Sequence, residues 1–285
     1  MRSLRHPGPP AAERVRAVPC RAHRLSLTLP AGSSVNEAVT GALAEAGFAS
    51  GFAQLDGVAI SPMRYVIPAP APDEAHVAWY SDTRAPEGVV TVEKAAVVAG
   101  IRDGEPFIHC HGIWRAADGV RRAGHLLPHD SVVAHEARVE AWGIEGAAFV
   151  ARDDPETNFK LFSAEVAAAG AAAREGGRPA LACTVRPNGD ISHTLEAACA
   201  RNGIPEAAVH GVGSLIGVDF ADGRHVSSYA TEVMVASGRV AAGGAEASLD
   251  VALADMDGAV HEGVLLRGGN PVCVTFELLV VASAG

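Results

Sequence analysis

Two stretches of this chain follow one plan. "LSLTLPAGSSVNEAVTGALAEAGFASGFAQLDGVAI", from Leu25 to Ile60, runs as an alternating strand, a Pro/Gly turn, an amphipathic helix ending at Gly47, and a second apolar strand. "LACTVRPNGDISHTLEAACARNGIPEAAVHGVGSLI", from Leu181 to Ile216, repeats that order. Ser33 or Ser34 in the first copy, and Asp190 or Ser192 in the second, stand where a helix N-cap is wanted, and a glycine closes each helix. An internal repeat fixes architecture before any local detail does, and this one predicts two similar domains.

The ends of the halves correspond as well. "WRAADGV…LLPHDSVVAHEARVEAW" is echoed by "ADMDGAV…LLRGGNPVCVTFELLVV": strand, Asp-Gly turn, return strand, loop, and a last alternating strand carrying Glu136 or Glu277. The first half is longer, chiefly by "IPAPAPDEAHVAWYSDTRAPEG". "SAEVAAAGAAAREGGRP" reads as a helix fraying into a linker before Pro179. The expected division is a flexible Arg-rich arm at 1–19, a domain at 20–163, an Ala/Gly-rich linker at 164–179 and a second domain at 180–283.

Charge and cysteine content narrow the function classes. With a formal net charge of −10, the surface repels a phosphate backbone unless positive charge is gathered locally. The one such place is the N-terminus, where Arg2, Arg5, Arg14, Arg16, Arg21 and Arg24 cluster. The five cysteines include no Cys-x-x-Cys, so neither a disulfide framework nor a cysteine zinc cluster is expected. No apolar run reaches the length of a membrane span and no hydrophobic signal core opens the chain, so the expectation is a cytoplasmic protein with no membrane partner.

Five of the twelve histidines fall between His109 and His135. In an extended strand, His109 and His111 of "IHCHGIW" share one face, with Cys110 on the other. If Ala117, Asp118 and Gly119 form a three-residue hairpin loop, His111 lies opposite His125. Three imidazoles then meet on one face of neighbouring strands, a donor set suited to a divalent metal, with zinc the first guess. His129 and His135 receive no role, because Pro128 breaks the strand. The second half has Asp250 and Ala252 where the histidines are expected, so only one half should carry the site. Glu136, Glu140 and Arg115 are nearby candidates for acid/base or anion contact, with Glu136 and Arg115 the catalytic pair of choice.

"HCHGIW…DG…AGHLLPHDSVVAHEARV" resembles the plants-and-prokaryotes-conserved (PPC) domain family, whose hallmark is a His-x-His strand, a turn, and a Gly-His-Leu strand followed by a hydrophobic strand with Glu. The resemblance covers most of 20–163 and extends to 180–283. It implies an α+β fold, two similar domains that are each a mainly antiparallel sheet flanked by helices, and trimer-based self-association. It places His109, His111 and His125 as the clustered histidines and Gly124 as a close-packing glycine, with Ala123 departing from a frequent glycine.

Three functions follow as expectations: a metal-binding protein acting on or sensing a small anionic metabolite, a DNA-binding regulator as the family label implies, or an assembly scaffold. No Arg-Gly-Arg-Pro hook is present, so DNA contact would fall to the arginine arm or to Arg121 and Arg122. "GVGSLIG" leads from strand to strand, without the helix N-terminus a dinucleotide needs, and no serine stands in a nucleophile elbow.

Overall fold

The computed structural model describes residues 2–167 and 174–283. In the first half the principal elements are β1 (Val15–Leu29), α1 (Val35–Glu45), β2 (Gly51–Gln54), β3 (Val90–Arg102), β4 (Glu105–Arg115), β5 (Arg121–Leu126) and β6 (Ala137–Glu145). A hairpin of β7 (Ala147–Asp153) and β8 (Lys160–Val166) follows. The second half contains β9 (Arg178–Val185), α2 (Ile191–Arg201), β10 (Ala207–Leu215), β11 (Glu232–Ala241), β12 (Glu246–Ala254), β13 (Val260–Val264) and β14 (Val272–Ala282).

The repeat seen in the sequence is a repeat of topology. One sheet runs β13-β12-β11-β10-β14-β9-β1-β6-β2-β3-β4-β5, so each half has the same order and the two join through their first strands. Its named strand pairs are antiparallel. Residues Val15 to Ala22 of β1 pair with β9, while Arg21 to Leu29 pair with β6, and this long strand welds the halves together.

Local chemistry explains the matched helices. Ser34 accepts from the Glu37 amide and the Glu37 side chain reaches back to the Ser34 backbone, a complete capping box. Asp190 caps α2 through the His193 amide. Such caps contribute about 1 kcal/mol each. Gly47 and Gly203 then take left-handed backbone at φ 81° and 64°, which ends each helix cheaply.

Among the described residues each half carries one α-helix on one face of its sheet. The opposite face of each sheet is buried against the other half, with β3, β4 and β5 packing on β10, β11 and β12. Strand alternation sorts the second half's side chains. Val233, Val235, Leu278 and Val280 join the core under α2. Their neighbours Met234, Leu279 and Val281 join the core of the first half. Each large apolar side chain so buried contributes about 1.5–3 kcal/mol.

The first nineteen residues are not a free arm. Arg2 pairs with Asp219 and donates to the Ile216 and Gly269 carbonyls. His6 contacts the Cys273 carbonyl, and Arg14 binds Glu156, whose side chain is 3% exposed. Arg21 donates to Gly177 and Arg24 pairs with Glu140. The segment is ordered because these carboxylates and carbonyls lie far along the chain, where composition gives no sign of them. The first ordered strand accordingly starts at Val15, ahead of the expected domain edge at 20. Ser163 to Val166, expected in a helix, belong to β8, whereas 168–173 of that stretch lie outside the described residues. Cys110, Cys183, Cys199 and Cys273 are buried, and burial pushes the Cys110 thiol up to about 12, as befits core residues.

His210 of β10 lies in the seam between halves, with its ring 4.8 Å from Phe52 and 6.2 Å from Trp142. Its Nε2 is buried without a hydrogen-bond partner. Desolvation pushes its pKa down to about 4, so the native state holds it neutral while an unfolded chain protonates it near 6.5. Stability from this group is therefore complete above pH 6.5 and is lost as pH falls from 6.5 to 4, by on the order of 3 kcal/mol. Denaturant unfolding across that range should show His210→Gln with a correspondingly flatter pH dependence than the parent. An unchanged slope would mean that His210 does not titrate in the seam.

Candidate functional site at the seam between the halves

The hairpin register is the one that the Asp-Gly turn predicts: His111 pairs with His125 and Gly112 with Gly124. A Cβ on Gly124 would lie 2.4 Å from the Val66 carbonyl oxygen, so this position has no room for a side chain. His109 and His111 project from the same face of β4, and their Nε2 atoms are 2.9 Å apart. His125 brings its Nδ1 to 3.1 Å from His111 Nε2. These are the three ligand-type residues that lie close enough to share an ion, the one such group found among the described residues.

The far sides of the rings are fixed by the second half. His109 Nδ1 contacts Glu277 Oε2 at 2.8 Å, and His111 Nδ1 contacts the Val233 carbonyl at 3.0 Å. Both acceptors call for a proton on Nδ1, which leaves an Nε2 lone pair on each ring facing the cluster. Glu232, the first residue of β11, adds a carboxylate oxygen 2.7 Å from His111 Nε2. Three acceptor atoms thus crowd one nitrogen. A single proton there can point at only one of them, whereas a divalent cation would be held by the three imidazoles together. Donors about 3.4 Å apart are what a tetrahedral ion with bonds of about 2.0–2.1 Å requires, so the donor set fits such an ion with little adjustment.

The electrostatics of the rings differ. Burial alone would push His111 down, but the Glu232 carboxylate, the Val233 carbonyl and the more distant Glu277 outweigh it and raise its pKa. His125 is held well below the usual imidazole value, first by desolvation and then by the nearby His109, His111 and Arg102. Glu277, 1% exposed, also accepts from the Thr275 hydroxyl, so its buried charge is hydrogen-bonded on both oxygens.

The cluster opens into a cavity of about 350 Å³ formed by both halves. Its walls include Tyr80, Phe107, Arg102 and Phe159 from the first half, and Thr231 and Thr275 from the second. His129 lines it too, although it contributes no atom to the cluster, while His135 is exposed.

The sequence candidates outside the triad lie elsewhere. Arg115 is at the far end of the hairpin, bound to Glu93 and the Gly119 carbonyl. Glu136 is exposed, Glu140 pairs with Arg24 on the surface, and none of these three lines the cavity. The carboxylates at the cluster are Glu232 and Glu277. Glu277 had a visible signal, an acid inside the otherwise apolar run of β14; Glu232, at the mouth of its strand, had none.

Register also corrects the matching of the halves. Gly263 pairs with Val251 as Gly124 pairs with Gly112, so Ser248 and Asp250, not Asp250 and Ala252, stand where His109 and His111 stand. Val264 replaces His125. Thr184 pairs with Glu277 as Thr28 pairs with Arg138, which makes Arg138, not Glu136, the counterpart of Glu277. Thr91, opposite Arg115, matches Glu232, opposite Ala254.

Comparison with known proteins finds a family domain and several solved structures. The sequence profile of the Plants and Prokaryotes Conserved (PCC) domain matches residues 172–284. No curated protein matches the chain. Among solved structures, a plant- and prokaryote-conserved protein of Pyrococcus horikoshii is 15% identical, with a TM-score of 0.40, covering 50% of this chain and 91% of its own. A metal-containing protein of Archaeoglobus fulgidus is 19% identical at a TM-score of 0.39, covering 50% and 93%. A protein of Ralstonia eutropha with a provisional DNA-binding name is 16% identical at 0.36, covering 48% and 89%. Residues 172–284 thus match the Plants and Prokaryotes Conserved domain, and the first half repeats the strand order of the second around the three histidines.

Proposed function

We propose that the chain binds one divalent metal ion through His109, His111 and His125, and that it acts on or senses a small anionic metabolite in the adjoining cavity. The observation that carries this reading is the meeting of three imidazole nitrogens close enough to share one ion, with the Glu232 carboxylate 2.7 Å from His111 Nε2, at a cavity. Zinc is the first expectation for an all-imidazole triad, with other imidazole-binding divalent ions as competitors. Bound there, the ion would supply Lewis acidity toward a carbonyl or carboxylate oxygen.

The protein's own groups have distinct tasks. Glu277 and the Val233 carbonyl hold the Nδ1 protons, which fixes the tautomers and aims both Nε2 lone pairs inward. Glu232 faces the same point from the opposite half and is placed to accept a proton from a ligand entering the cavity. A nucleic-acid role would have to draw on the arginine arm, where Arg2, Arg14, Arg21 and Arg24 are already bonded within the chain.

Elemental analysis after dialysis should find about one equivalent of metal per chain in the parent, and His109→Ala or His125→Ala should reduce it to background. Equal, trace metal in all three would end the proposal. Glu277→Gln, which keeps the shape of the side chain but removes its charge from behind His109, should weaken metal binding about 10–100-fold in a chelator competition. Glu232→Gln should retain the metal while losing any turnover that the parent shows, and metal loss as severe as that of the histidine variants would instead make Glu232 a required ligand.

A further inference from the structure

Part of the cavity wall, Pro68, Ala78, Trp79 and Tyr80, comes from the segment that only the first half possesses. Within Ile67 to Gly88, Pro68–Ala69 pairs with Trp79–Tyr80 and turns those two rings over the cavity. Both remain 38% exposed, unusual for side chains of this size in a protein whose other large rings are mostly buried. Trp79 stacks on Phe159 with centroids 5.3 Å apart, and the Tyr80 ring lies 5.2 Å from that of His125. Phe107 adds a further aromatic ring to the cavity lining.

The cavity also has a cation with capacity to spare. Arg102 sits with its guanidinium 5.0 Å from the centre of the Phe107 ring. Its contact with Asp103 is 3.9 Å, too long for a hydrogen bond, and that carboxylate is bonded to Lys160. A guanidinium over an aromatic ring, with no carboxylate in hydrogen-bond reach, keeps donors available for a carboxylate. At about 350 Å³ the space admits a single-ring molecule.

We infer that the cavity binds a planar aromatic carboxylic acid, its ring between Tyr80 and Phe107, its carboxylate on Arg102, and its remaining polar end toward the histidine cluster. This deepens the reading of the seam as the functional site, but its recognition elements are the rings and Arg102, not the histidines. The insertion therefore sets specificity, and the second half, which lacks it, has no counterpart.

The test measures binding of benzoate, its neutral analogue benzamide, and acetate by calorimetry and tryptophan fluorescence, on metal-loaded and on chelator-treated protein. Benzoate should bind both forms, at least tenfold more tightly than either benzamide or acetate. Arg102→Gln, a substitution at an exposed side chain, should bring benzoate to the level of benzamide, and Trp79→Ala should weaken benzoate several-fold, with circular dichroism confirming that both variants are folded. Equal affinity for benzoate and benzamide, or unchanged benzoate binding in Arg102→Gln, would overturn the inference, as would benzoate binding seen only with metal. Benzoate selectivity in a protein that takes up no metal would defeat the metal reading and leave this one standing; metal uptake without benzoate selectivity would do the reverse.

Discussion

The burial of each sheet on both faces is the constraint on which the rest depends. One face lies under the half's helix and the other against the opposite half, so β4 and β14 have no solvent side along their middles, nor has β11 over Glu232 to Val235. In such strands a polar group must find its partner across the seam or remain unsatisfied, at a cost of several kcal/mol for a charge. His109, His111, Glu232 and Glu277 all point into the seam, on the same parity as Met234, Leu279 and Val281. Their convergence and the docking of the halves are therefore one event: neither set of groups is satisfied until the other arrives.

Seen through the repeat, the site is a division of labour. The first half has kept imidazoles where the second has Ser248, Asp250 and Val264; the second has kept carboxylates where the first has Arg138 and Thr91. A pair of identical domains would carry every group twice. Joining the halves in one chain, through the β1–β9 ladder, fixes which half faces which and removes any need for each to supply both roles. The aromatic insertion in the first half fits that asymmetry, since it lies beside the histidines it could serve and is missing where there are none.

Much of this was legible because it is local. Period-two alternation placed His109 with His111, and one Asp-Gly loop was enough to set His125 opposite, contacts spanning only a hairpin. The helices, their caps and the strand order of both halves likewise follow from short-range chemistry that the repeat states twice. What was not legible lies across the seam. His109 meets Glu277 and His111 meets Glu232 over separations that no periodicity encodes, so the partners that the sequence offers are Glu136, Glu140 and Arg115, neighbours along the chain that the fold turns away. The N-terminal arginines misled for the same reason, because charge near a chain end reads as solvated until distant partners such as Glu156 and Asp219 are known.

The two glutamates show why charge at such a site must be read by atom and not by residue. Glu277 takes the outward nitrogen of His109, so its negative charge increases the basicity of the inward one without competing for the same space. Glu232 approaches the inward nitrogen of His111 itself, so it shares that space and is the carboxylate positioned for exchange with whatever enters the cavity. One acid is locked in a buried hydrogen-bonded corner with Thr275, and the other stands at the cavity edge at the start of its strand. The fold thus gives two glutamates of one half opposite relations to a single cluster: Glu277 holds the outward nitrogen of His109, and Glu232 meets the inward nitrogen of His111.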